Sequence, residues 1–248
     1  FSGIARDVNK IIWSPFGGHV MAEMDNGTVF LAGGFHDVDD VKFADSELLL
    51  YSPAGNLLVG RGSMQVGRIA ASVTKLPDGK LLIVGGGTGK GVVETSYHSK
   101  LPFWSFVATD TAEIYDPQTN TCTLVSGKLH QARQGHAALL LPTGKVLIVG
   151  GFQSSFKKGY EGSYPNYLEL YDPDTGTFSV MDKLDYGLLE PKAVLMKDGN
   201  VFLAGQIQAP MDPPTTSQAQ GLRMMAAASV TYQGSTVLGI IKGAKVSN

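Results

Sequence analysis

Several features common in other protein classes are scarce in this sequence. The single cysteine, Cys122, excludes an internal disulfide framework. Lys plus Arg number 20 and Asp plus Glu number 22, so a net charge of −2 offers no basic surplus for nucleic acid or an anionic membrane. No apolar run approaches the roughly 18–20 residues of a membrane span. No two histidines have the spacing of a zinc site. We therefore expect no nucleic-acid partner, no membrane insertion, no metal and no cofactor.

The beginning of the chain and its single cysteine say little about compartment. The first residue is Phe1 rather than Met, so we expect a processed product or an excised fragment. No secretory signal is recognisable. The compartment stays open, with an extracellular or surface-exposed location slightly favoured.

What the sequence does contain is a repeat. Short β-branched and aliphatic runs, separated by turns rich in Gly, Pro and Asp, predict antiparallel strands. A hairpin-turn glycine recurs along the chain, and in the first four copies another glycine follows six residues later. The turn glycines are Gly27, Gly79, Gly144, Gly199 and Gly234. A period of about 50 residues with four strands per unit is typical of a β-propeller.

The repeat resembles that of the kelch family. The residues that carry the resemblance are three double glycines and the Tyr-Asp-Pro turns: Gly33-Gly34, Gly85-Gly86, Gly150-Gly151, Tyr115-Asp116-Pro117 and Tyr171-Asp172-Pro173. The resemblance spans nearly the whole chain and implies an all-β propeller of four-stranded blades. It implies no single activity, because such propellers host both binding proteins and enzymes.

We predict one propeller domain, 1–248, with its first four blades at 19–60, 69–126, 135–181 and 191–222. Residues 1–14 have the signature of an outer hairpin, since Asp7 precedes Trp13 by six residues. Residues 223–242 match an inner hairpin, because Arg223 to Ile241 aligns without gaps on 133–151. We therefore predict five blades, with 1–14 and 223–242 completing the closing blade. The alternative is four blades, with 225–242 as the outer hairpin of the fourth.

The long insertions all follow the second strand of a blade and so belong to one face of the propeller. They are the loops predicted at 35–46, 87–110, 152–166 and 206–222. Loops carried by a rigid scaffold are frequent binding sites, so we expect ligand binding on this face.

Three arginines occupy one repeat position, eleven residues before a turn glycine: Arg68, Arg133 and Arg223. In kelch proteins that bind acidic peptides, arginines at the matching place line the pocket, so the resemblance implies an acidic ligand here. A guanidinium group suits a carboxylate because its donors form a bidentate fork. The alternative is structural: the arginines bond to backbone carbonyls between neighbouring blades.

The insertions 87–110 and 152–166 are rich in aromatic residues, and Tyr97, Trp104 and Tyr160 are the ones we expect to contact a ligand. The alternative is that such rings form a small core for their own loop.

Other candidates fit a site poorly. Asp37, Asp39 and Asp40 lack the glycine and distal Glu of an EF-hand calcium loop. Galactose-oxidase-like proteins share kelch-type blades and use a cysteine–tyrosine crosslink with copper. Here Cys122 stands at a packing position equivalent to Trp13 and Phe178.

These observations predict a non-enzymatic recognition module that presents aromatic loops to a protein or glycan ligand. No catalytic residue is assigned, because Glu113 and Glu169 share a repeat position and no convergent carboxylate pair can be recognised from spacing. Two alternatives remain open. One is a carbohydrate-active propeller enzyme, such as a hydrolase, lyase or epimerase, and the other is a structural subunit of a virion or cell-surface assembly.

Overall fold

The computed structural model describes residues 6–7, 17–39, 41–95, 102–153, 163–184, 187–207, 225–233 and 236–245. These residues form β-strands and turns, and no α-helix occurs among them. The strands assemble into antiparallel sheets of mostly four strands, an arrangement compatible with a β-propeller. Within the described ranges, no helix has the length and apolarity needed to cross a membrane.

Four sheets follow one another along the chain, each with its strands in up-and-down order. Sheet one contains β2 (His19–Glu23), β3 (Val29–Gly33), β6 (Glu47–Ser52) and β7 (Leu57–Ser63), with β1 (Arg6–Asp7) on the edge of β7. Sheet two contains β8 (Ser72–Lys75), β9 (Leu81–Val84), β12 (Ala112–Asp116) and β13 (Thr121–Leu124). Sheet three contains β14 (Ala137–Leu140), β15 (Val146–Val149), β16 (Tyr167–Asp172) and β17 (Thr177–Lys183). Sheet four contains β18 (Leu188–Leu195), β19 (Val201–Ile207), β20 (Met225–Gln233) and β21 (Thr236–Lys245).

The first hairpin of each sheet closes through the predicted turn glycine. In sheet two, Gly79 N–H donates to Leu76 O at 3.0 Å, and Leu76 N–H donates to Lys80 O at 2.8 Å. The same two bonds recur around Gly27, Gly144 and Gly199. All four glycines have φ between 73° and 84°, a left-handed conformation that glycine adopts at little cost. The turn prediction from sequence is confirmed at these four positions.

The hydrophobic core lies between consecutive sheets. Sheet one packs on sheet two through Phe30, Leu48, Leu81 and Ile83. Equivalent clusters join sheet two to sheet three and sheet three to sheet four. The innermost strands β2, β8, β14 and β18 are neighbours in that order.

The double glycines let consecutive sheets approach each other closely. Gly34, Gly86 and Gly151 donate their N–H groups to the backbone oxygens of Arg68, Arg133 and Leu188 in the segment entering the next sheet, at 2.7–2.9 Å. A side chain on the first glycine of each pair would collide with that same carbonyl oxygen. The repeated glycines are therefore a requirement of packing one sheet against the next.

The structure corrects the predicted closing blade. The hairpin predicted around Gly234 is present as β20 and β21, but β20 pairs with β19, from Val201↔Val230 to Gln206↔Met225. It is therefore the outer half of sheet four, as the four-bladed alternative proposed. At the other end, Arg6 and Asp7 pair with Leu58 and Leu57 of sheet one. Pairing at these places satisfies backbone groups along the edge of β19 and at the start of β7. Residues 1–5 and 8–14, also assigned to the closing blade, lie outside the described residues.

Two of the predicted long loops contain paired strands. Residues 35–44 form the hairpin β4 (Phe35–Val38) and β5 (Val41–Ala44), and most of 87–108 forms β10 (Gly87–Thr95) and β11 (Pro102–Ala108). Strand β10 pairs with β5, so the insertions of sheets one and two join into a separate sheet of order β11-β10-β5-β4. We call this the insertion sheet. Of the other two predicted loops, residues 154–162 and 208–222 lie outside the described residues.

Candidate functional site

The two described arginines of the predicted site are buried. Arg68 has 1% of its surface exposed. Its guanidinium contacts Glu113 Oε1 through Nε at 3.1 Å and through Nη2 at 3.0 Å. Nη1 donates to Gly85 O at 2.6 Å and Thr111 O at 3.0 Å, and Nη2 donates to Thr111 Oγ1 at 2.9 Å. All three nitrogens of the guanidinium thus have partners inside the protein.

Arg133 repeats this arrangement one sheet later. It is 0% exposed, and its Nη2 forms an ion pair with Glu169 Oε1. Nη1 donates to Gly150 O at 3.0 Å, the repeat equivalent of Gly85 O. Both Nη atoms also reach Tyr167 O at 3.4 Å.

The two glutamates hold the segments that enter their sheets. Glu113 accepts hydrogen bonds from Gln65 N at 2.6 Å and Val66 N at 3.1 Å. Glu169 accepts equivalent bonds from His130 N at 2.6 Å and Gln131 N at 3.3 Å. Each Arg–Glu pair therefore ties a linking segment to the third strand of the sheet that follows it.

Burial dominates the electrostatics of these pairs. Desolvation lowers the pKa of both Arg68 and Arg133 from the ordinary value, and the carboxylates of Glu113 and Glu169 oppose the effect. The sequence supports the interpretation that each Arg–Glu pair is one structural unit. In sheet one, the position equivalent to the arginine is Phe16 and the position equivalent to the glutamate is Leu49, so both charges are absent together. A buried guanidinium whose three nitrogens all have partners inside the protein is not accessible to a ligand. The structural interpretation therefore replaces the ligand-binding one for Arg68 and Arg133.

The other predicted contact residues fall largely outside what the structure describes. Arg223, Tyr97 and Tyr160 lie outside the described residues. The backbone of Trp104 lies in β11 and pairs with Val93, so this residue belongs to the insertion sheet. Its role in binding stays a prediction.

The insertion sheet presents a row of three side chains on one face. His36 lies directly opposite Phe43, and Phe43 lies directly opposite Lys90, so the row crosses β4, β5 and β10. The rings of His36 and Phe43 stack at 5.9 Å with an angle of 22°. The His36 side chain is 43% exposed, and its Nδ1 lies 3.3 Å from Asp45 Oδ2. Lys90 is exposed. A partly buried aromatic ring, a partly exposed imidazole and an exposed ammonium group thus lie side by side.

The opposite face of the insertion sheet is anchored to the protein. Phe106 is 2% exposed and contacts the ring of Phe35 with centroids 6.2 Å apart. Gly91 packs against the Phe106 ring, where a side chain would not fit. Gln134, in the segment entering sheet three, donates from Nε2 to Phe106 O at 2.9 Å. Insertions from sheets one and two and the entrance to sheet three are therefore fixed relative to one another.

A polar contact also joins the innermost strand of sheet two, β8, to the residue that precedes the innermost strand of sheet three, β14. Ser72 Oγ of β8 lies 2.7 Å from His136 Nε2, at the start of β14. His136 is 7% exposed, and burial lowers its pKa to about 3, with Arg133 contributing in the same direction. Its Nδ1 is buried and has no hydrogen-bond partner among the described residues. An imidazole with a pKa of about 3 holds a proton too weakly to act as an effective general base for Ser72, so we interpret the pair as a link between sheets.

The remaining candidates from the sequence either pack in the core or lack the neighbouring ligands that a metal site needs. Cys122 is buried in the core between sheets one and two, and burial raises its pKa to about 12. A thiol of that kind is unreactive. Among the described residues, no group of three or more His, Cys, Asp or Glu side chains is arranged to hold a metal ion.

Sequence reasoning missed the row His36–Phe43–Lys90, because it treated both insertions as loops. A local signal was present: short segments with β-branched and aromatic residues, Phe35–Val38 and Val41–Ala44, flank the turn-forming pair Asp39-Asp40. Pairing between the two insertions depends on residues far apart in the chain, so no local pattern predicts it.

Comparisons with known proteins address the fold. No protein-family model matches the chain, and no curated protein matches its sequence. Among solved structures, the chain is similar to the structure of YjhT, with a TM-score of 0.59 and 15% sequence identity. The match covers 94% of this chain and 67% of YjhT. At this identity the similarity is one of fold, and any shared activity is a separate question.

Proposed function

We propose that this protein is a kelch-type β-propeller that acts as a recognition module and binds a protein or glycan ligand on its insertion-bearing face. The observation that carries the proposal is the insertion sheet itself. Two insertions from neighbouring sheets pair with each other, and their buried face is held by Phe106 and Gln134. A surface fixed in this way loses little conformational entropy when a ligand binds.

The chemistry of the exposed row suits such a ligand. The stacked rings of His36 and Phe43 offer an apolar surface for a sugar ring or for an apolar side chain of a partner. Lys90, next in the row, offers a positive charge to a carboxylate. The preference for an acidic ligand therefore rests on Lys90 and on Arg223, since Arg68 and Arg133 are engaged inside the protein. The aromatic residues Tyr97, Trp104 and Tyr160 belong to the same proposal.

The test is a glycan array run beside affinity capture of protein partners, with four versions of the chain. The wild type is compared with Phe43→Ala and Lys90→Ala, and with the control Leu124→Ala. Leu124 is 47% exposed on β13, away from the insertion sheet. We expect a ligand of the wild type to bind Phe43→Ala and Lys90→Ala about tenfold more weakly, a loss typical of one aromatic or charged contact. Binding by Leu124→Ala should be unchanged.

Two outcomes would contradict the proposal. If Phe43→Ala and Lys90→Ala retain the affinity of the wild type for a confirmed ligand, the exposed row is not the site. If the wild type turns over a bound sugar instead of only binding it, the carbohydrate-active enzyme takes the place of the recognition module.

A further inference from the structure

His36, at one end of the exposed row, has a carboxylate beside its ring. Its Nδ1 lies 3.3 Å from Oδ2 of Asp45, and 43% of its side chain is exposed. A carboxylate has no proton to donate, so Asp45 favours a proton on Nδ1 of the imidazole. The other ring nitrogen, Nε2, lies on the edge of the ring away from Nδ1. His36 therefore has one nitrogen engaged by the protein and a second one on a partly exposed ring.

Asp45 is itself held by the backbone on three sides. Its Oδ1 accepts a hydrogen bond from Glu47 N at 2.8 Å. Its own N–H donates to Gly34 O at 2.8 Å, and its carbonyl accepts from Arg68 N at 2.8 Å. These bonds connect Asp45 to sheet one and to the segment that enters sheet two. The imidazole therefore rests against a carboxylate whose position is fixed, and little orientational freedom is lost when a ligand contacts it.

Few described charges face the ring of His36. Its partner on β5 is the uncharged Phe43, and Lys90 of β10 lies beyond that residue in the row. Lys42, the neighbouring cation on β5, alternates to the opposite face of the insertion sheet. Asp45 is the carboxylate in contact with the ring. The row thus has a lysine at one end and, at the other, a histidine, the residue type whose charge ordinarily changes between about pH 5 and pH 8.

From this arrangement we propose that His36 is an anion contact of the exposed row and makes the binding of an anionic ligand tighter in acid. The inference rests on the proposed function, because it concerns the same site. In a protonated imidazole both nitrogens donate, here one to Asp45 and the other to the ligand. The row then presents two positive charges about 10 Å apart, which is two strand spacings, with Phe43 between them. At higher pH Lys90 alone is charged, so the gain in affinity is present in acid and lost as the pH rises.

The experiment is calorimetric titration of the full chain with a sulfated trisaccharide at about pH 5.5 and about pH 8. Sulfate keeps its charge over this range, and the unsulfated trisaccharide is the matched neutral probe. We expect the wild type to bind the sulfated probe about tenfold more tightly at the lower pH, the effect of one added charged contact. His36→Gln should bind it with the same affinity at both pH values.

His130→Gln is the matched control. His130 is also exposed, but it lies in the segment entering sheet three, where its ring contacts Tyr167 with centroids 4.9 Å apart. This variant should keep the tenfold gain of the wild type. The proposal is overturned if the wild type binds the sulfated probe equally at both pH values or at neither. It is also overturned if His36→Gln keeps the gain, if His130→Gln loses it, or if the neutral probe gains as much.

The same titrations with Phe43→Ala and Lys90→Ala separate this inference from the proposed function. If both variants bind the sulfated probe more weakly but acid brings the wild type no gain, the row is the ligand site and only the role of His36 is wrong. If both variants bind like the wild type at each pH, the row is not the site, and the proposed function fails together with the inference.

Discussion

Acid should destabilise this protein through protonation of His136, at pH values above those at which Asp and Glu side chains ordinarily titrate. The pKa of His136 is about 3 in the folded protein against an ordinary value of 6.5. The unfolded chain therefore binds more protons than the folded one between these values, and stability falls as pH falls through 6.5. The contribution is fully present above about pH 7 and is lost at about 1.4 kcal/mol per pH unit within the window.

The size of the effect follows from the two pKa values. Lowering the pH from about 7.5 to about 5 should remove about 2 kcal/mol of unfolding free energy through His136 alone. The assay is urea unfolding of the wild type and His136→Gln at several pH values. Gln does not titrate, so the difference between the two proteins isolates His136 from the other four histidines. We expect that difference to shrink or reverse toward pH 5 in favour of the variant.

A second variant, Ser72→Ala, tests whether burial or the hydrogen bond to Ser72 lowers the pKa of His136. Burial is the largest contribution to the lowered pKa, and the hydrogen bond to Ser72 is a separate contact. Ser72→Ala should therefore cost about 1 kcal/mol at pH 7.5 and leave the pH dependence in place. If the difference between wild type and His136→Gln is constant from pH 7.5 to 5, His136 is accessible to protons in the folded state and the burial argument is wrong.

Two further predictions concern the contacts between sheets. Arg133→Leu should cost about 3–5 kcal/mol, because it leaves Glu169 buried without its cation, while Lys128→Leu should cost at most about 1 kcal/mol, because its pair with Asp110 is exposed. Thermal and urea unfolding measure both, and an Arg133→Leu protein that keeps its stability but loses affinity for a ligand would restore the ligand-binding interpretation. Gly85→Ala should be more destabilising than Gly27→Ala, since both have positive φ but only at Gly85 would the added Cβ meet a backbone atom, Arg133 O at 2.5 Å. Equal melting temperatures for the two glycine variants would show that this collision is relieved at no cost.

Much of the fold could be predicted from sequence because its signals are local. A turn glycine with positive φ and flanking apolar runs defines a hairpin within about 15 residues, and Gly27, Gly79, Gly144 and Gly199 all close such hairpins. The hairpin around Gly234 was predicted for the same reason. Its position was not, because an inner and an outer hairpin have similar patterns and only pairing with β19 distinguishes them.

The candidate site was less accessible to sequence reasoning. Equivalent positions singled out Arg68 and Arg133, but a pattern of equivalence does not say whether a charge faces solvent or an internal partner. The answer depends on Glu113 and Glu169, which lie 45 and 36 residues away from their arginines.

By itself, then, the sequence determined the repeat, the turns and the order of the strands within hairpins, since these depend on neighbours along the chain. Tertiary structure decided the rest. It joined the two insertions through Phe43 and Lys90 and buried Arg68 and Arg133 against their glutamates. Each of these outcomes is a contact between residues distant in the chain, and such contacts form only where the packing of whole sheets brings them together.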